Sequence, residues 1–385
     1  MSSTNESFDQ NSLDLSLDKC MLHFPRLFEF IDNTTAFYRI TRNGSISLND
    51  IDSISMGPGG SHIRAAVLNN TLYIKTFYKG FHTRSLALLF SLNQAISHSP
   101  VQLPPSEFVI DTGDHGVPHT LGLWSLARMK SDKSTFLVPD FGFQAWPEVG
   151  VLSYTEVRRE IEGMIGRGEA GKIEKLLWRG DVTPGPRQEA VELANETWAD
   201  IQRLNWPCLA TPDLPHCANV TDHKTIPQHC AYKYLLQTEG RTYSGRFKYL
   251  LNCPSVVIAD RLSWDQHFHH LLDSDMNSPD QNVVVIGDVH FKDGLKRMME
   301  GLQMYPEYSE KIRRNAWEVL RNRYLTRAAV MCYWRRLLTE YAGLLDYVPT
   351  LEVKGENDDE TVYRLTENGK QMAMPYDLFV LGNYS

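Results

Sequence analysis

The sequence predicts an α/β fold made of two halves. Apolar runs typical of strands alternate with helical patterns along most of the chain, and 385 residues suit two ordinary domains better than one minimal core. A Gly-containing segment, residues 166–171, separates the halves. Strands that alternate with helices favour parallel sheets with helices on both faces, so we expect two such domains facing a cleft.

The first half comprises residues 1–168. Asn69 and Asn70 stand between two apolar runs, which is typical of a hairpin turn. Ser153 and Glu156 have the spacing of a capping box at a helix start. The predicted elements are a helical region from Cys20 to Ile40, a hairpin over 62–78, a helix over 84–97, buried strands in "EFVIDTGDHG" and "STFLVPDFGF", and a helix over 153–165.

The second half, residues 169–347, alternates strand and helix more plainly. An acidic surface tail, residues 348–385, is expected to follow it. The predicted elements are a strand over 174–180, a helix over 187–201 with Pro186 near its first turn, an irregular connection over 206–228, strands over 231–237, 255–260 and 282–288, a helix over 247–251 after the second strand, and three helices between 291 and 347.

Composition and charge exclude several classes of protein. With 42% hydrophobic and 22% charged residues the chain is globular, and a net charge of -8 argues against a binder of duplex nucleic acid. No apolar run reaches the roughly 18 residues that a membrane-spanning helix needs. The polar, acidic start lacks the features of a signal peptide, which by itself indicates a cytosolic protein.

Two features point instead to the secretory pathway, so the residues alone leave both compartments open. The cysteines are even in number and lack the C-x-x-C pairs of a zinc site, and glycosylation sequons recur along the chain. The cysteines are Cys20, Cys208, Cys217, Cys230, Cys253 and Cys332. The sequons begin at Asn5, Asn33, Asn43, Asn69, Asn195, Asn219 and Asn383.

Two Arg-bearing loops follow predicted strands. In "WRGDVTPGPR", Arg179 ends a strand and Arg187 lies in the first turn of a helix, and "TEGRTYSGRFK" places Arg241 and Arg246 similarly. Guanidinium groups bind phosphate oxygens bidentately, and helix starts present backbone N–H groups to anions. The loops therefore predict a diphosphate site, with solvated or acid-paired arginines as the alternative.

A further candidate group is the pair Asp111 and Asp114 in "VIDTGDHG", directly after an apolar strand. A carboxylate at a strand end can act as a general base when a substrate hydroxyl lies within hydrogen-bond reach. The alternative is that the carboxylates only cap a turn.

The histidines of "DQHFHHLLDSD" could bind a metal ion in a hydrolase, together with a nearby aspartate. His269 and His270, however, do not share a face of a helix, so a solvated surface cluster with His267 is the favoured interpretation.

Four motifs, taken in their order along the chain, resemble those of one family. "VPDFGFQAWPE", "WRGDVTPGPR", "HCAYKYLLQTEGRTYSGRFKYLLNCPSVV" and "CYWRRLLTEYAGLL" resemble glycosyltransferase family 90, which includes animal protein O-glucosyltransferases and fungal capsule-associated xylosyltransferases. The resemblance runs from about Phe108 to Leu345 and lies nearer the fungal branch.

The resemblance implies a GT-B fold with two Rossmann-like domains, an acceptor-side domain over 1–168 and a UDP-sugar domain over 169–347 whose final helix packs back. It implies transfer of xylose or glucose from a UDP-sugar, with inversion, to a hydroxyl of a glycan, glycolipid or protein. No metal is required, although Mn²⁺ could take part. The alternative is an inactive relative that binds a sugar nucleotide or glycan.

The resemblance also implies roles for individual residues. It makes Asp114 the general base, although His115 and Gly116 replace the family's aromatic residue and proline. Asp181 replaces a small residue in the first loop. The residues that match the UDP-sugar site are Arg179, Gly180, Thr183, Arg187, Ser244, Gly245, Arg246, Phe247 and Lys248.

The cysteines gain candidate partners from the same resemblance. Cys230 and Cys253 match a bridged pair of the family, and Cys332 matches another bridged position for which Cys20 is a candidate partner. Cys208 and Cys217 would form a third, local bridge. Family members work in the endoplasmic reticulum or Golgi behind a signal peptide or membrane anchor, so any membrane association would need an anchor that this sequence does not show.

Overall fold

The structure is a computed structural model, and its described residues form a mixed α/β molecule. The contacts divide the chain into two units: residues 1–147, 264–271 and 326–385 form the first, and residues 148–263 and 272–325 form the second. The sequence placed the boundary at 168 and 169 instead. The described residues are 7–54, 61–77, 82–114, 119–166, 172–183, 185–204, 223–287, 290–353, 365–367 and 370–382.

The helices and strands are numbered in chain order. The α-helices are α1 (Leu17–His23), α2 (Glu29–Thr41), α3 (Leu48–Asp52), α4 (His82–Ser97), α5 (Tyr154–Gly166), α6 (Pro186–Glu192), α7 (Ile226–His229), α8 (Phe247–Leu250), α9 (Phe291–Met304), α10 (Pro306–Asn315), α11 (Arg327–Ala342) and α12 (Tyr376–Gly382), with a π-helical segment at Ala316–Tyr324. The strands are β1 (His62–Leu68), β2 (Thr71–Phe77), β3 (Ser106–Asp111), β4 (Leu123–Ser125), β5 (Arg128–Met129), β6 (Phe136–Leu137), β7 (Ile173–Gly180), β8 (Ala199–Arg203), β9 (Tyr232–Gln237), β10 (Val256–Ala259), β11 (Trp264–Asp265), β12 (Val284–Val285), β13 (Leu365–Glu367), β14 (Lys370–Met372) and β15 (Met374–Pro375).

The second unit is built on a parallel sheet in the order β12-β10-β9-β7-β8. Counted within the unit, this is the doubly wound order 2-1-3-4-5, in which the strand order reverses between β7 and β9. Leu176 and Trp178 of β7 lie in a buried core with Leu295 and Met299 of α9. The predicted α/β class is therefore confirmed, and this unit shows the predicted parallel sheet.

The first unit has a mixed sheet in the order β15-β2-β1-β3-β4-β6. β1 is antiparallel to β2 and β3, whereas β3, β4 and β6 run parallel. Asn69 and Asn70 take positive φ angles of 51° and 56°, as a tight hairpin turn requires, so the predicted hairpin is confirmed.

The predicted helix over 187–201 is wrong in its second part. Helix α6 ends at Glu192, and Ala199–Arg203 forms strand β8, which pairs in parallel with β7. Ala199 and Ile201 are buried while Asp200 and Gln202 are less so, which is the period of two that marks a strand. This short alternation was the signal that the helical interpretation missed.

The predicted surface tail also needs correction. Met374 pairs with Ile74 of β2, and α12 buries Tyr376 and Phe379. Part of the tail therefore belongs to the packed first unit, because its apolar residues cover the edge strand of the sheet.

Two predicted disulfides are confirmed. Cys20 bonds Cys332 in the first unit, and Cys230 bonds Cys253 in the second. The predicted pair Cys208 and Cys217 lies outside the described residues. Among the described helices, none has the length and apolar character that crossing a bilayer requires.

Candidate functional site

The second unit has a cavity of about 880 Å³ beyond the carboxyl ends of its strands. Thr183 and Arg187 line it after β7, and Glu239 and Gly240 line it after β9. These are the two strands between which the strand order reverses, and ligands of open α/β sheets bind at such a switch point. The cavity therefore lies where the topology predicts a binding site.

The remaining wall of this cavity comes from α6, from the ends of β10 and β12 and from the start of α9. It combines carboxylates with guanidinium groups, so it can meet both hydroxyls and phosphate oxygens. Its other lining residues are Pro186, Glu189, Asp260, Arg261, Ser263, Gly287, His290, Phe291, Asp293 and Arg297.

Arg187 bridges the two loops that follow β7 and β9. Its Nε donates to the carbonyl oxygen of Glu239 at 2.9 Å, and its Nη1 donates to that of Asp181 at 3.2 Å. Burial lowers the pKa of Arg187, and the nearby Asp181 opposes that shift. A Cβ added at Gly240 would lie 3.2 Å from Nη2 of Arg187, so a larger residue there would require this guanidinium to shift.

Arg246 makes the reciprocal contact. Its Nη1 donates to the carbonyl oxygen of Arg179, at the end of β7, while its Nε has no partner among the described residues. Burial and, less strongly, the charge of Arg187 lower the pKa of Arg246 to about 9. Each loop thus contributes an arginine that binds a backbone carbonyl of the other loop.

Arg179 and Gly180 support the end of β7 and do not line the cavity. The Arg179 guanidinium is buried and bonds the Asp200 carboxylate of β8 at 2.8 Å. A Cβ at Gly180 would lie 2.7 Å from the Trp178 ring, so close packing requires glycine there. The assignment of both residues to the donor site stays a prediction.

The residues after Arg246 hold the second loop from beneath. Phe247 and Lys248 are buried, and Nζ of Lys248 donates to the carbonyl oxygen of Gly245 at 2.6 Å. Ser244 accepts the N–H of Phe247 at 3.1 Å through its carbonyl oxygen. Of the predicted donor residues, the structure therefore brings Thr183 and Arg187 to the cavity, with the second loop packed behind them.

The loop after β3 in the first unit carries the predicted base. Asp111 is buried, and its Oδ1 accepts from Oγ of Ser61 at 2.8 Å and from N–H of Gly113 at 2.9 Å. The Asp114 side chain is 41% exposed, with Oδ2 3.9 Å from Nη1 of Arg84. Part of this carboxylate is accessible to solvent, and a general base must be within reach of a substrate hydroxyl. His115 and Gly116 lie outside the described residues.

The histidine cluster is not a solvated surface group, and that prediction is wrong. His267 and His269 are buried, and burial lowers the pKa of His269 to about 3. Nδ1 of His269 lies 3.1 Å from the Trp264 carbonyl oxygen, and Nε2 of His270 lies 2.7 Å from that of Arg26. Across the described ranges, no three His, Cys, Asp or Glu side chains are grouped to hold a metal ion.

Asp260 is a cavity residue that sequence reasoning missed. It follows β10, and burial and then the charge of Glu189 raise its pKa. The available signal was the same as for Asp114, an acid directly after an apolar strand, in "SVVIAD".

Comparisons with known proteins show which family the chain belongs to. The model of glycosyl transferase family 90 matches residues 25–372. The chain is 24% identical over 360 residues to protein O-glucosyltransferase 2 of Danio rerio, covering 88% of this chain and 67% of that protein. It is 27% identical over 278 residues to O-glucosyltransferase rumi of Drosophila melanogaster, covering 68% and 64%. A 125-residue match to protein O-glucosyltransferase 1 of Homo sapiens is 30% identical and covers 32% and 29%. The chain belongs to glycosyl transferase family 90.

Proposed function

We propose that this protein is an inverting glycosyltransferase that moves glucose or xylose from a UDP-sugar to a hydroxyl group. The names of its relatives favour a protein acceptor and glucose, while a glycan or glycolipid acceptor remains an alternative. The observation that carries the proposal is the cavity at the switch point of the parallel sheet, lined by Arg187 and Thr183, in a member of this family.

The donor would bind in this cavity through its diphosphate and its hydroxyl groups. Arg187 offers a guanidinium at the start of α6, and a planar guanidinium pairs with phosphate oxygens. The carboxylates of Asp260 and Glu239 are acceptors for ribose or sugar hydroxyls. Cations that face the diphosphate would stabilise UDP as it departs with the electrons of the broken bond.

Asp114 would supply the base. In an inverting transfer the acceptor oxygen bonds to the anomeric carbon as the bond from that carbon to the phosphate oxygen breaks. The acceptor hydroxyl proton passes to the Asp114 carboxylate, and UDP leaves. This scheme needs no metal ion, although Mn²⁺ could assist the leaving group.

We also place the protein in the lumen of the endoplasmic reticulum or Golgi. Its two disulfides support this, because such bonds persist in oxidising compartments. The disulfide links Cys230, two residues before β9, to Cys253, three residues after α8, and so encloses the second donor loop.

The test is turnover of UDP-glucose and UDP-xylose, with EDTA or with Mn²⁺, by the wild-type protein and by Asp114→Asn. We expect the substitution to lower turnover by about 10²- to 10⁴-fold with UDP binding unchanged. Asp280→Asn, in an exposed turn, is the matched control. An unchanged rate in Asp114→Asn would rule out this base, and UDP binding without turnover of either sugar would favour an inactive relative.

A further inference from the structure

The first unit has a separate polar cavity of about 500 Å³. It lies over one face of the mixed sheet and is lined in part by Asp52, Arg64, Lys75, Thr76, Glu107 and Tyr347. Glu107 is near the start of β3, whereas Asp111 ends that strand. Four residues of strand span about 13 Å, so this cavity is distinct from the loop that carries Asp114.

A β-bulge places two consecutive side chains in this cavity. Arg64 pairs with Thr76 and Ala65 pairs with Ile74, so Lys75 is an extra residue without a partner on β1. Neighbouring residues of a regular strand point to opposite faces, whereas Lys75 and Thr76 line the same cavity. Bulges commonly redirect a side chain beside a binding site.

The charged side chains of the cavity are paired, and two of them, Lys75 and Glu107, are buried. Glu107 Oε1 accepts from Nε of Arg64 and from Nζ of Lys75, both at 2.7 Å, and Nη2 of Arg64 lies 2.7 Å from Asp52. Lys75 and Glu107 are only 4% and 1% exposed. Glu352, the remaining carboxylate of the lining, lies 2.8 Å from Nζ of Lys370. Each charge thus has a partner that a charged ligand would have to displace, whereas an uncharged polar ligand would disturb no pair.

The cavity also has unused hydrogen-bonding capacity. Thr76 Oγ1 and Tyr347 Oη are buried and have no hydrogen-bond partner among the described residues. The Lys75 ammonium has three N–H donors, of which Glu107 takes one. Buried polar groups are usually satisfied, so these groups indicate that a polar guest or ordered water completes the site.

We propose that this cavity binds an uncharged saccharide unit. Sugar hydroxyls both donate and accept, which matches a lining in which the donors Arg64 and Lys75 alternate with the acceptors Asp52 and Glu107. A small turn of the Thr76 or Tyr347 side chain would present its hydroxyl to such a guest. The proposal concerns binding only and does not depend on the donor site or on Asp114.

The probes are the methyl glycosides of glucose, xylose, galactose and mannose, titrated into the full chain by calorimetry and ligand-observed NMR. Thr76→Val and Tyr347→Phe each remove one unpartnered hydroxyl with little change in shape. We expect each to weaken binding of the preferred glycoside about tenfold, the loss of one hydrogen bond, without lowering the melting temperature. Thr71→Val, about 16 Å away along β2, is the matched control and should bind as wild type.

Three results would overturn the proposal: no glycoside binds, binding is equal in Thr76→Val and Thr71→Val, or inorganic phosphate competes for the site. A lower melting temperature in both hydroxyl variants without glycoside binding would show that the cavity holds ordered water only. UDP-sugar turnover is measured on the same preparations. Glycoside binding without UDP-sugar turnover would support this saccharide site and would contradict only the proposed transferase activity.

Discussion

The loops that carry the two halves of the proposed chemistry are held in different ways. The loops after β7 and β9 are joined by reciprocal hydrogen bonds. Arg187 donates to a backbone carbonyl of the second loop, and Arg246 donates to one of the first. The loop after β3 is fixed at its base by the buried Asp111, and it leaves Asp114 exposed. A site for a charged nucleotide benefits from preorganised cations, whereas a base must stay open to its acceptor. The following predictions test this difference.

Removing one of these reciprocal arginine contacts should have the largest effect on UDP affinity. Arg246→Ala removes the bond to the Arg179 carbonyl and a buried cation, so we expect UDP to bind about 100-fold more weakly. Arg241→Ala changes an exposed arginine of the same loop and should bind UDP as wild type does. Calorimetric titration with UDP measures both. Equal UDP affinities in the two variants would show that the contact of Arg246 with the first loop does not organise the site.

Removing the disulfide around the second loop should lower both the stability of the protein and its affinity for UDP. The double variant Cys230→Ala and Cys253→Ala opens a loop of 23 residues, and we expect the free energy of unfolding to fall by about 3 kcal/mol. Urea unfolding followed by tryptophan fluorescence measures it. Loss of UDP binding under native conditions should accompany the change, and intact UDP affinity would show that Arg187 and Arg246 hold the loop without the disulfide.

Placing a larger side chain against the Arg187 guanidinium should lower UDP affinity moderately. In Gly240→Ala the new Cβ would lie 3.2 Å from Nη2 of Arg187, so the side chain must shift, and we expect UDP affinity to fall about tenfold. Gly301→Ala in α9 has open space around its Cβ and serves as the control. Asp114 belongs to the other unit, so this variant should leave its role unaffected. If Gly240→Ala bound UDP as tightly as Gly301→Ala does, the position of the Arg187 guanidinium would not matter for UDP binding.

Acid should weaken the donor loops through His229. Burial, then the charge of Arg246, lowers the pKa of His229 to about 3. The unfolded chain therefore binds a proton between about pH 6.5 and 3 that the folded chain excludes, and stability falls with acid by up to about 1.4 kcal/mol per pH unit. His229→Gln should flatten the unfolding free energy over that range, whereas His98→Gln, an exposed control, should not. A slope unchanged by His229→Gln would exclude His229 as the source.

The sequence predicted the second unit better than the first. Most of its strands are short apolar runs, and parallel pairing follows from their alternation with helices. The mixed sheet of the first unit depends on pairing between distant segments, such as Met374 with Ile74. Such a pairing leaves no local pattern, so the tail was misassigned. Strand β8 was missed because five residues of alternation resemble the end of a helix.

The sequence by itself determined the α/β class and the two loops rich in glycine and arginine, and its resemblance to the family implied the two disulfides that the structure shows. Only the tertiary structure decided which of the predicted loop arginines lines the cavity. Arg187 lines it, while the guanidinium of Arg179 bonds Asp200. The physical reason is that a side chain's direction follows from strand register and burial, and these depend on partners far away in the chain. The bulge at Lys75 arises in the same way, from the register of β1 and β2.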